Sequence, residues 1–269
     1  MPNIRDEIYA ASEDFGSKNF LGSILKQMSS KKQVIDFIHR YSVFNGDFAG
    51  GVANLSGEVH IRGDIFKGDS NIDSINDRSS EIATEIYFAA EDEYADRQFK
   101  LRVTHRQLAQ ELLKAILDYF KIDHSNFPKL FPLNKKTNEA IKKVREGYCL
   151  NRENTEDNLF NGLGFHIGSE LLADQEFNLI DQFLRDNDSD LVKFLENKKT
   201  KFDDIKSYRW ISLHTVVELE HLDHAFVAAE RAIKYYKGKK SVEEVHRLII
   251  EGFLNFAKLQ KDFFGNILK

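Results

Sequence analysis

The sequence predicts an all-α protein, a helical bundle formed by a single domain over residues 1–269, and three observations support this prediction. Only three prolines occur, so long stretches lack the residue that most strongly interrupts helices. Apolar residues recur every three or four positions, for example within 48–59 and 248–263, which is the spacing of one helical face. No pair of alternating apolar segments joined by a hairpin turn is recognisable. The chain is also long enough for one such domain to bury a substantial core.

The predicted helices follow one another between short segments rich in residues that favour turns. Such segments lie at 63–80, 124–134 and 236–240, where Gly, Asp, Asn, Ser or Pro cluster. The start of one helix is marked by Thr104, which is followed three residues later by Gln107 in the pattern of a capping box. We therefore predict helices near residues 4–12, 18–28, 31–62, 78–94, 105–121, 135–147, 155–185, 189–197, 205–236 and 241–264.

Composition and charge exclude several classes of protein. The net charge of −5 and the pI near 6.0 argue against a nucleic-acid-binding protein, because binding to phosphates needs a basic surface. Cys149 is the only cysteine, so the chain has neither a disulfide framework nor a cysteine-based metal site. The N-terminal residues do not resemble a signal peptide, and no apolar run reaches the roughly 18 residues of a membrane span. We therefore expect a cytoplasmic protein that binds neither nucleic acid nor a membrane.

The segment HTVVELEHLDH, residues 214–224, combines apolar residues with three histidines and three acidic residues. On a helix, at about 100° per residue, His214, Glu218 and His221 fall within one narrow stripe, and the other two acidic residues point away from it. A carboxylate between two imidazoles is costly to bury unless a cation or a proton compensates its charge. The stripe therefore indicates either a metal site or a carboxylate that is paired with a protonated histidine.

Two further segments offer the same types of ligand. Within 161–177, Glu170 lies among apolar residues with His166 one turn before it, and nearby glycines would let a neighbouring helix or a substrate approach closely. Within 91–113, a cluster of carboxylates ends one predicted helix and His105 begins the next. Imidazoles and carboxylates without a thiolate suit iron or manganese better than structural zinc.

Taken in order along the chain, these segments resemble the heme-oxygenase-like di-iron oxidases and oxygenases. The resemblance rests on an acidic-Tyr turn followed by "H..L", then on "GSE" at 168–170, and then on "HxxxExxH" at 214–221, so it covers roughly 91–224. That superfamily includes the chlamydial death-domain-associated protein, and the cofactor-free pyrroloquinoline quinone synthases share its scaffold. The resemblance implies a heme-oxygenase-like helical bundle.

The resemblance also implies six metal ligands, because the family binds two irons with three histidines and three carboxylates. The identity of the early carboxylate ligand stays open, because Glu93 and His105 lie twelve positions apart and the family usually spaces these two ligands more closely. Glu81, Glu85 and Glu91 are the alternatives to Glu93. The full set of corresponding residues in this chain is Glu93, His105, Glu170, His214, Glu218 and His221.

The chemistry that the resemblance implies is oxidation by O2. Two ferrous ions, or manganese in their place, would react with O2 as co-substrate to form a peroxo di-iron species that oxidises a small organic substrate. An amino acid, an amine or a fatty acid would serve as the substrate of an N-oxygenation, a carbon–carbon cleavage or a desaturation. Some relatives oxidise one of their own tyrosines, and Tyr94, Tyr208 and Trp210, which lie near the proposed ligands in sequence, are the candidates for that role here. An external electron donor and a homodimer are further expectations.

The remaining histidines have other expected roles, and two alternative functions also fit the sequence. His166 and His224 are candidates for additional ligands or proton-handling groups, whereas we interpret four histidines as structural or exposed, namely His39, His60, His124 and His246. A ferritin-like di-iron protein would use Glu218-x-x-His221 and Glu243-x-x-His246, although these motifs lie closer together than that architecture normally places them. A metal-free scaffold, acting as a cofactor-free oxidase or as a partner-binding protein, would use the same fold.

Overall fold

The regular structure consists of twelve α-helices among the residues that a computed structural model describes. The described residues are 3–13, 17–68, 72, 74–95, 102–202 and 204–269, apart from the side chains of 17–19, 217 and 218. Within these residues, β-type pairing is limited to two isolated bridges, Phe66 with Tyr236 and Lys199 with Lys206. The prediction of an all-α bundle is therefore confirmed. Among the described residues, every helix is either too short or too polar to span a lipid bilayer. The helices are α1 (Ile4–Glu13), α2 (Ser17–Gln27), α3 (Lys31–Phe44), α4 (Phe48–His60), α5 (Asp77–Tyr94), α6 (His105–Tyr119), α7 (Phe127–Leu130), α8 (Lys135–Gly147), α9 (Glu156–Asn187), α10 (Ser189–Asn197), α11 (Arg209–Tyr235) and α12 (Val242–Phe264).

The predicted helix boundaries are wrong in two places. The segment 31–62 forms two helices, because Asn45–Asp47 is a short 3-10 helix between α3 and α4. Its sequence, Asn-Gly-Asp, consists of poor helix formers, so the helix is interrupted where its intrinsic propensity is lowest. The segment 124–134, predicted to be a loop, contains α7, which has Pro128 in its first turn, a position that proline favours.

The start of α6 is fixed by the capping box that the sequence predicted. The Thr104 hydroxyl accepts a hydrogen bond from the backbone N–H of Gln107, and the Gln107 side chain accepts one from the backbone N–H of Thr104. These reciprocal bonds satisfy N–H groups that a helix start otherwise leaves without partners. His105 is therefore the first residue of α6, held beside a well-defined helix start.

The longest helix, α9, spans 32 residues and packs most extensively against α12 and α11. Two glycines permit the close crossing of α9 and α12. A Cβ atom on Gly164 would lie 1.7 Å from the carbonyl oxygen of Ile249, and one on Gly252 would lie 2.0 Å from the carbonyl oxygen of Asn161. Any larger residue at these positions would force the helices apart, so the glycines serve helix packing.

The helices that carry the predicted ligands converge on α11. Helices α5, α6 and α9 each pack against α11, and α5 also packs against α6. Buried aromatic rings surround this junction, and Tyr41 of α3, Phe177 of α9 and Trp210 of α11 have ring centroids 5.3 to 5.7 Å apart. The predicted ligands whose side chains the structure describes therefore lie at a helix junction that is lined by packed aromatic side chains.

Candidate metal centre

Glu93, His105 and His214, three of the six predicted ligands, meet in one place, which we call the first cluster. One ligand atom from each residue lies within 4.8 Å of the other two. Oε1 of Glu93 lies 3.1 Å from Nδ1 of His105, and the rings of His105 and His214 are 4.5 Å apart, edge to face. Both histidines are buried and Glu93 is half-buried. Two imidazoles and a carboxylate at these distances can share one divalent metal ion.

The ring of His214 is oriented by its own helix and by a neighbouring aromatic ring. Its Nδ1 lies 2.6 Å from the backbone carbonyl oxygen of Trp210, and its plane stacks on Phe177 with the centroids 4.0 Å apart. Because a carbonyl oxygen can only accept, Nδ1 carries the proton and Nε2 carries the lone pair that a metal requires. Burial and the neighbouring His105 lower the pKa of His214 well below its ordinary value, so the ring is neutral.

His166, Glu170 and His221 form what we call the second cluster. Oε1 of Glu170 lies 3.2 Å from Nδ1 of His166, and Oε2 lies 3.5 Å from Nδ1 of His221. All three residues are buried, and the two on α9 are one helical turn apart while His221 approaches them from α11. Burial by itself would raise the pKa of Glu170, but the adjacent His166 and His221 hold it well below its usual range. The carboxylate is therefore charged in the interior.

Asp92 of α5, which is not among the six predicted ligands, orients His221. Its Oδ2 lies 2.9 Å from Nε2 of His221, and both residues are buried. Carboxylates commonly hold metal-binding histidines in a fixed orientation in this way. The signal in the sequence was helical spacing, because Asp92 continues the buried face of α5 that includes Ile82 and Ala89.

Only one of the four carboxylates considered for the early position reaches His105. Glu93 makes that contact from the last turn of α5. Glu91 is exposed, and Glu81 and Glu85 lie two or three turns earlier on the helix, where they pair with arginine side chains. The break between α5 and α6 explains the unusual spacing in the sequence, because two helix ends rather than two positions of one helix supply these side chains.

His224 lies outside both clusters, in a group that we call the outer cluster with Glu85 and Arg231. Nδ1 of His224 lies 2.5 Å from Oε2 of Glu85, and Nη1 of Arg231 lies 2.7 Å from Oε1. The imidazole ring also stacks on Phe88 at 3.9 Å. The idea that His224 is an additional ligand therefore receives no support from its position, whereas His166 lies within the second cluster.

The side chain of Glu218 lies outside the described residues, so its role as a ligand stays a prediction. The rest of the helical-face argument is correct. His214 and His221 are buried and belong to the two clusters, whereas Glu220 and Asp223 are exposed on other faces of α11. The late-helix motif thus supplies one histidine to each cluster.

The remaining histidines lie apart from both clusters. His246, part of the second Glu-x-x-His motif, lies 3.7 Å from Glu7, and its motif partner Glu243 is exposed. That motif does not join the buried site, so the ferritin-like arrangement of two inward-facing motifs is absent among the described residues. His39 packs edge-on against an aromatic ring, His60 is exposed at the end of α4, and His124 pairs with an aspartate.

The three side chains considered for self-oxidation occupy different environments. The Trp210 ring lies 6.0 Å from the His214 ring, centroid to centroid. The Tyr208 hydroxyl donates a hydrogen bond of 2.8 Å to Asp181, and Tyr94 is half exposed, with 46% of its surface accessible. Trp210 is therefore the one whose ring the structure packs against a residue of the first cluster.

A cavity of about 30 Å³ lies between the two clusters. Glu93 and His214 from the first cluster and Glu170 from the second contribute to its wall. This volume admits a water molecule or a diatomic gas but is far below the roughly 300 Å³ of a pocket for an organic ligand. Aromatic rings close much of the remaining surface, from Phe44, Phe48, Phe177 and Phe256.

Within the described residues, the first cluster is the group whose ligand atoms lie close enough together to hold a metal ion. Within the described part of the chain, neither ring nitrogen of His105 or of His166 has a hydrogen-bond partner, although all four atoms are buried. Among the same residues, no lysine or arginine forms an ion pair with Glu93 or Glu170, whose partners are histidines. Buried imidazoles and carboxylates without a compensating cation are costly. A divalent cation bound by Glu93, His105 and His214 would satisfy both kinds of group in the first cluster at once.

Comparison with known proteins supports the fold. No family model matches the chain, and no curated protein is significantly similar to it in sequence. The crystal structure of a CADD-like protein of unknown function from Nostoc punctiforme is similar to this chain, with a TM-score of 0.62 over 98% of this chain and 95% of that one. Because the sequence identity is 14%, this likeness establishes the fold alone.

Proposed function

We propose that this chain is a non-heme di-iron oxidase or oxygenase, which activates O2 and oxidises a small organic substrate. The observation that carries the proposal is the pair of buried clusters, in which four histidines and two glutamates face one another without a lysine or arginine partner among the described residues. The fold shared with a CADD-like protein supports it, because that is the fold implied by the sequence resemblance.

Each cluster would hold one iron ion. Glu93, His105 and His214 would bind one ion, and Glu170, His221 and His166 the other, with Glu218 as a further ligand predicted from the sequence. Ferrous iron in such a set of imidazoles and carboxylates keeps open coordination positions and can supply electrons to O2. Manganese is the alternative metal for the same donor atoms.

The protein contributes orientation and exclusion of water. The Trp210 carbonyl fixes which ring nitrogen of His214 is available to a metal, and the Asp92 carboxylate orients the ring of His221. The phenylalanine rings around the cavity keep bulk water from the site, which strengthens electrostatic interactions there and prevents side reactions. A cavity of about 30 Å³ is large enough for O2 and too small for an organic substrate.

The same cavity constrains the organic substrate. An amino acid, an amine or a fatty acid exceeds about 30 Å³, so its reacting carbon or nitrogen reaches the site only if aromatic side chains such as Phe44 or Phe256 move aside. Where the substrate gives fewer electrons than the reduction of O2 requires, an external electron donor supplies the rest. Oxidation of a side chain of the protein itself, for which Trp210 beside His214 is a candidate, requires no such opening.

Anaerobic loading with ferrous iron followed by rapid mixing with O2 tests the proposal. We expect about two irons per chain, consumption of O2 and a transient visible absorption band, and we expect the His214→Ala variant to lose the band. The His224→Ala variant is the matched control, because it removes a histidine of the same helix that lies in the outer cluster, and it should retain the band. Bound iron that does not consume O2 would reject an oxidase while preserving a metal-binding protein.

A further inference from the structure

A third buried carboxyl group, that of Glu176, lines the same cavity as the two clusters. It lies on α9, somewhat less than two turns after Glu170. The Tyr41 hydroxyl of α3 lies 2.6 Å from its Oε2, and the side-chain amide of Gln260 of α12 hydrogen-bonds to its Oε1. Both carboxyl oxygens are therefore positioned by side chains from two other helices.

The partners of Glu176 are neutral, which distinguishes this carboxyl group from those of the clusters. Among the described residues, no lysine, arginine or histidine forms an ion pair with it. A hydroxyl group can donate or accept, and a flipped amide presents its oxygen in place of its nitrogen. Tyr41 and Gln260 can therefore satisfy Glu176 both as a carboxylic acid and as a carboxylate, which a residue that gives up and regains a proton requires.

The electrostatic setting favours the protonated form at neutral pH. Burial raises the pKa of Glu176 to about 8, against the lowering effect of the hydrogen bond from Tyr41. The other ionisable groups that face the cavity are Glu93 from α5, Glu170 from α9 and His214 from α11, and all three belong to the clusters. Of the described groups around the cavity, Glu176 is thus the acid that carries a proton and is not needed as a ligand.

We propose that Glu176 is the acid that delivers a proton to oxygen reduced in this cavity, and that Tyr41 and Gln260 are its positioning residues. The inference rests on the proposed function. In this step the O–H bond of the Glu176 carboxylic acid breaks, and a new O–H bond forms on an oxygen atom derived from O2. The electrons for that reduction come from ferrous iron, from the substrate or from an external reductant. The carboxylate that remains accepts hydrogen bonds from both partners, and water returns its proton before the next turnover.

The experiment compares the iron-loaded wild-type protein with the Glu176→Gln and Tyr41→Phe variants. Iron content is measured first, and then the rate of the O2-dependent absorbance change is followed from pH 6 to pH 9.5 in H2O and in D2O. The Tyr148→Phe variant is the matched control, because the Tyr148 hydroxyl is also buried but bonds to the Ser169 hydroxyl, 2.6 Å away. It should behave like the wild-type protein.

In the wild-type protein we expect the rate to fall as the pH rises through about 8, the pKa of Glu176. The Glu176→Gln variant should bind iron normally but react on the order of 100-fold more slowly, with a flat pH profile and a smaller solvent isotope effect. The Tyr41→Phe variant should shift the fall to higher pH, because it removes the hydrogen bond that lowers the pKa.

A Glu176→Gln variant with wild-type rate and pH profile would overturn the proton-donor role while leaving the di-iron proposal intact. An unshifted profile in Tyr41→Phe would overturn the positioning role in the same way. A wild-type protein that binds no iron would instead reject the proposed function, and this inference with it, so the two failures are distinguishable.

Discussion

The outer cluster and the first cluster both take side chains from α5 and α11, and the outer cluster differs from the two buried clusters in what compensates its carboxylate. In the outer cluster, Glu85 contacts both His224 and Arg231, and the histidine side chain is 31% exposed. In the buried clusters, Glu93 and Glu170 have histidines as partners and, within the described residues, no lysine or arginine. The outer cluster therefore contains its own cation, and we propose that a bound metal ion supplies one to the buried clusters. Residue type and spacing do not distinguish these cases, but the burial of the histidines and the lack of a lysine or arginine partner do.

The largest effect is expected when one histidine is removed from the first cluster and, in a separate variant, one from the outer cluster. The His105→Ala variant should lose most of the iron of the first cluster, so that bound iron falls from about two ions per chain to about one. The His224→Ala variant should keep both ions, because Arg231 continues to compensate Glu85. Elemental analysis of protein loaded without oxygen measures the difference. Equal losses in the two variants would show that the inner and outer clusters do not differ in this respect.

The Asp92→Asn variant sharpens the comparison by weakening a ligand without deleting it. A neutral amide accepts a weaker hydrogen bond from His221 than the carboxylate does, so the imidazole becomes less basic and less well oriented. We expect a 10- to 100-fold lower affinity for ferrous iron, roughly the effect of losing such an orienting partner. Competition with a chelator of known affinity measures it. The Glu85→Gln variant is the control in the outer cluster, and its affinity should stay within a few-fold of wild type.

Glu176 extends the comparison to a carboxyl group with neither a cationic partner nor a role as a ligand. Its pKa is raised to about 8 by burial, so the folded state binds its proton more tightly than the unfolded state does. The metal-free protein should therefore lose stability as the pH rises from about 5 through 8, by a few kcal/mol.

Thermal denaturation of the metal-free Glu176→Gln variant should show most of this alkaline loss removed. The Glu111→Gln variant is the control, since Lys114 and the backbone N–H of Lys201 hold the pKa of that buried carboxyl below its usual value, against the opposing effect of burial. Its contribution is present above about pH 4.5 and is lost only as the pH falls, so the alkaline loss should persist in this variant. An identical alkaline loss in Glu176→Gln would show that another group causes it.

The smallest effects should come from the exposed acidic residues of α11. Asp223 pairs with Arg5 at 2.7 Å, but its side chain is 64% exposed. The Asp223→Ala variant should therefore change the free energy of unfolding by less than about 1 kcal/mol. Its iron content, like that of Glu220→Ala, should equal that of the wild-type protein. A loss of iron in either variant would contradict the assignment of helical faces.

The sequence predicted those features that depend on positions within one helix. The stripe of His214 and His221 and the turn from His166 to Glu170 follow from helical geometry, and so does the start of α6 at His105. The prediction of one helix over 31–62 was wrong, although the low helix propensity of Asn45–Asp47 marks the position of the interruption.

Features that depend on how two helices are positioned relative to each other could not be read in the same way. Glu93 and Asp92 are adjacent in the chain, yet Glu93 turns to His105 and Asp92 to His221, because the end of α5 lies between α6 and α11. The hydrogen bond between Tyr41 and Glu176 joins residues 135 positions apart and has no local signature in the sequence. Such contacts follow from packing of the bundle, which periodicity within single helices does not specify.

The central claim, that the inner clusters rather than the outer one bind metal, is tested most directly by locating the metal. Crystals grown without oxygen in the presence of ferrous iron can be measured at wavelengths on either side of the iron absorption edge. We predict two anomalous peaks, one beside Glu93, His105 and His214 and the other beside Glu170 and His221. A fully ordered inner site without a peak, or iron bound at Glu85 and His224, would contradict the account.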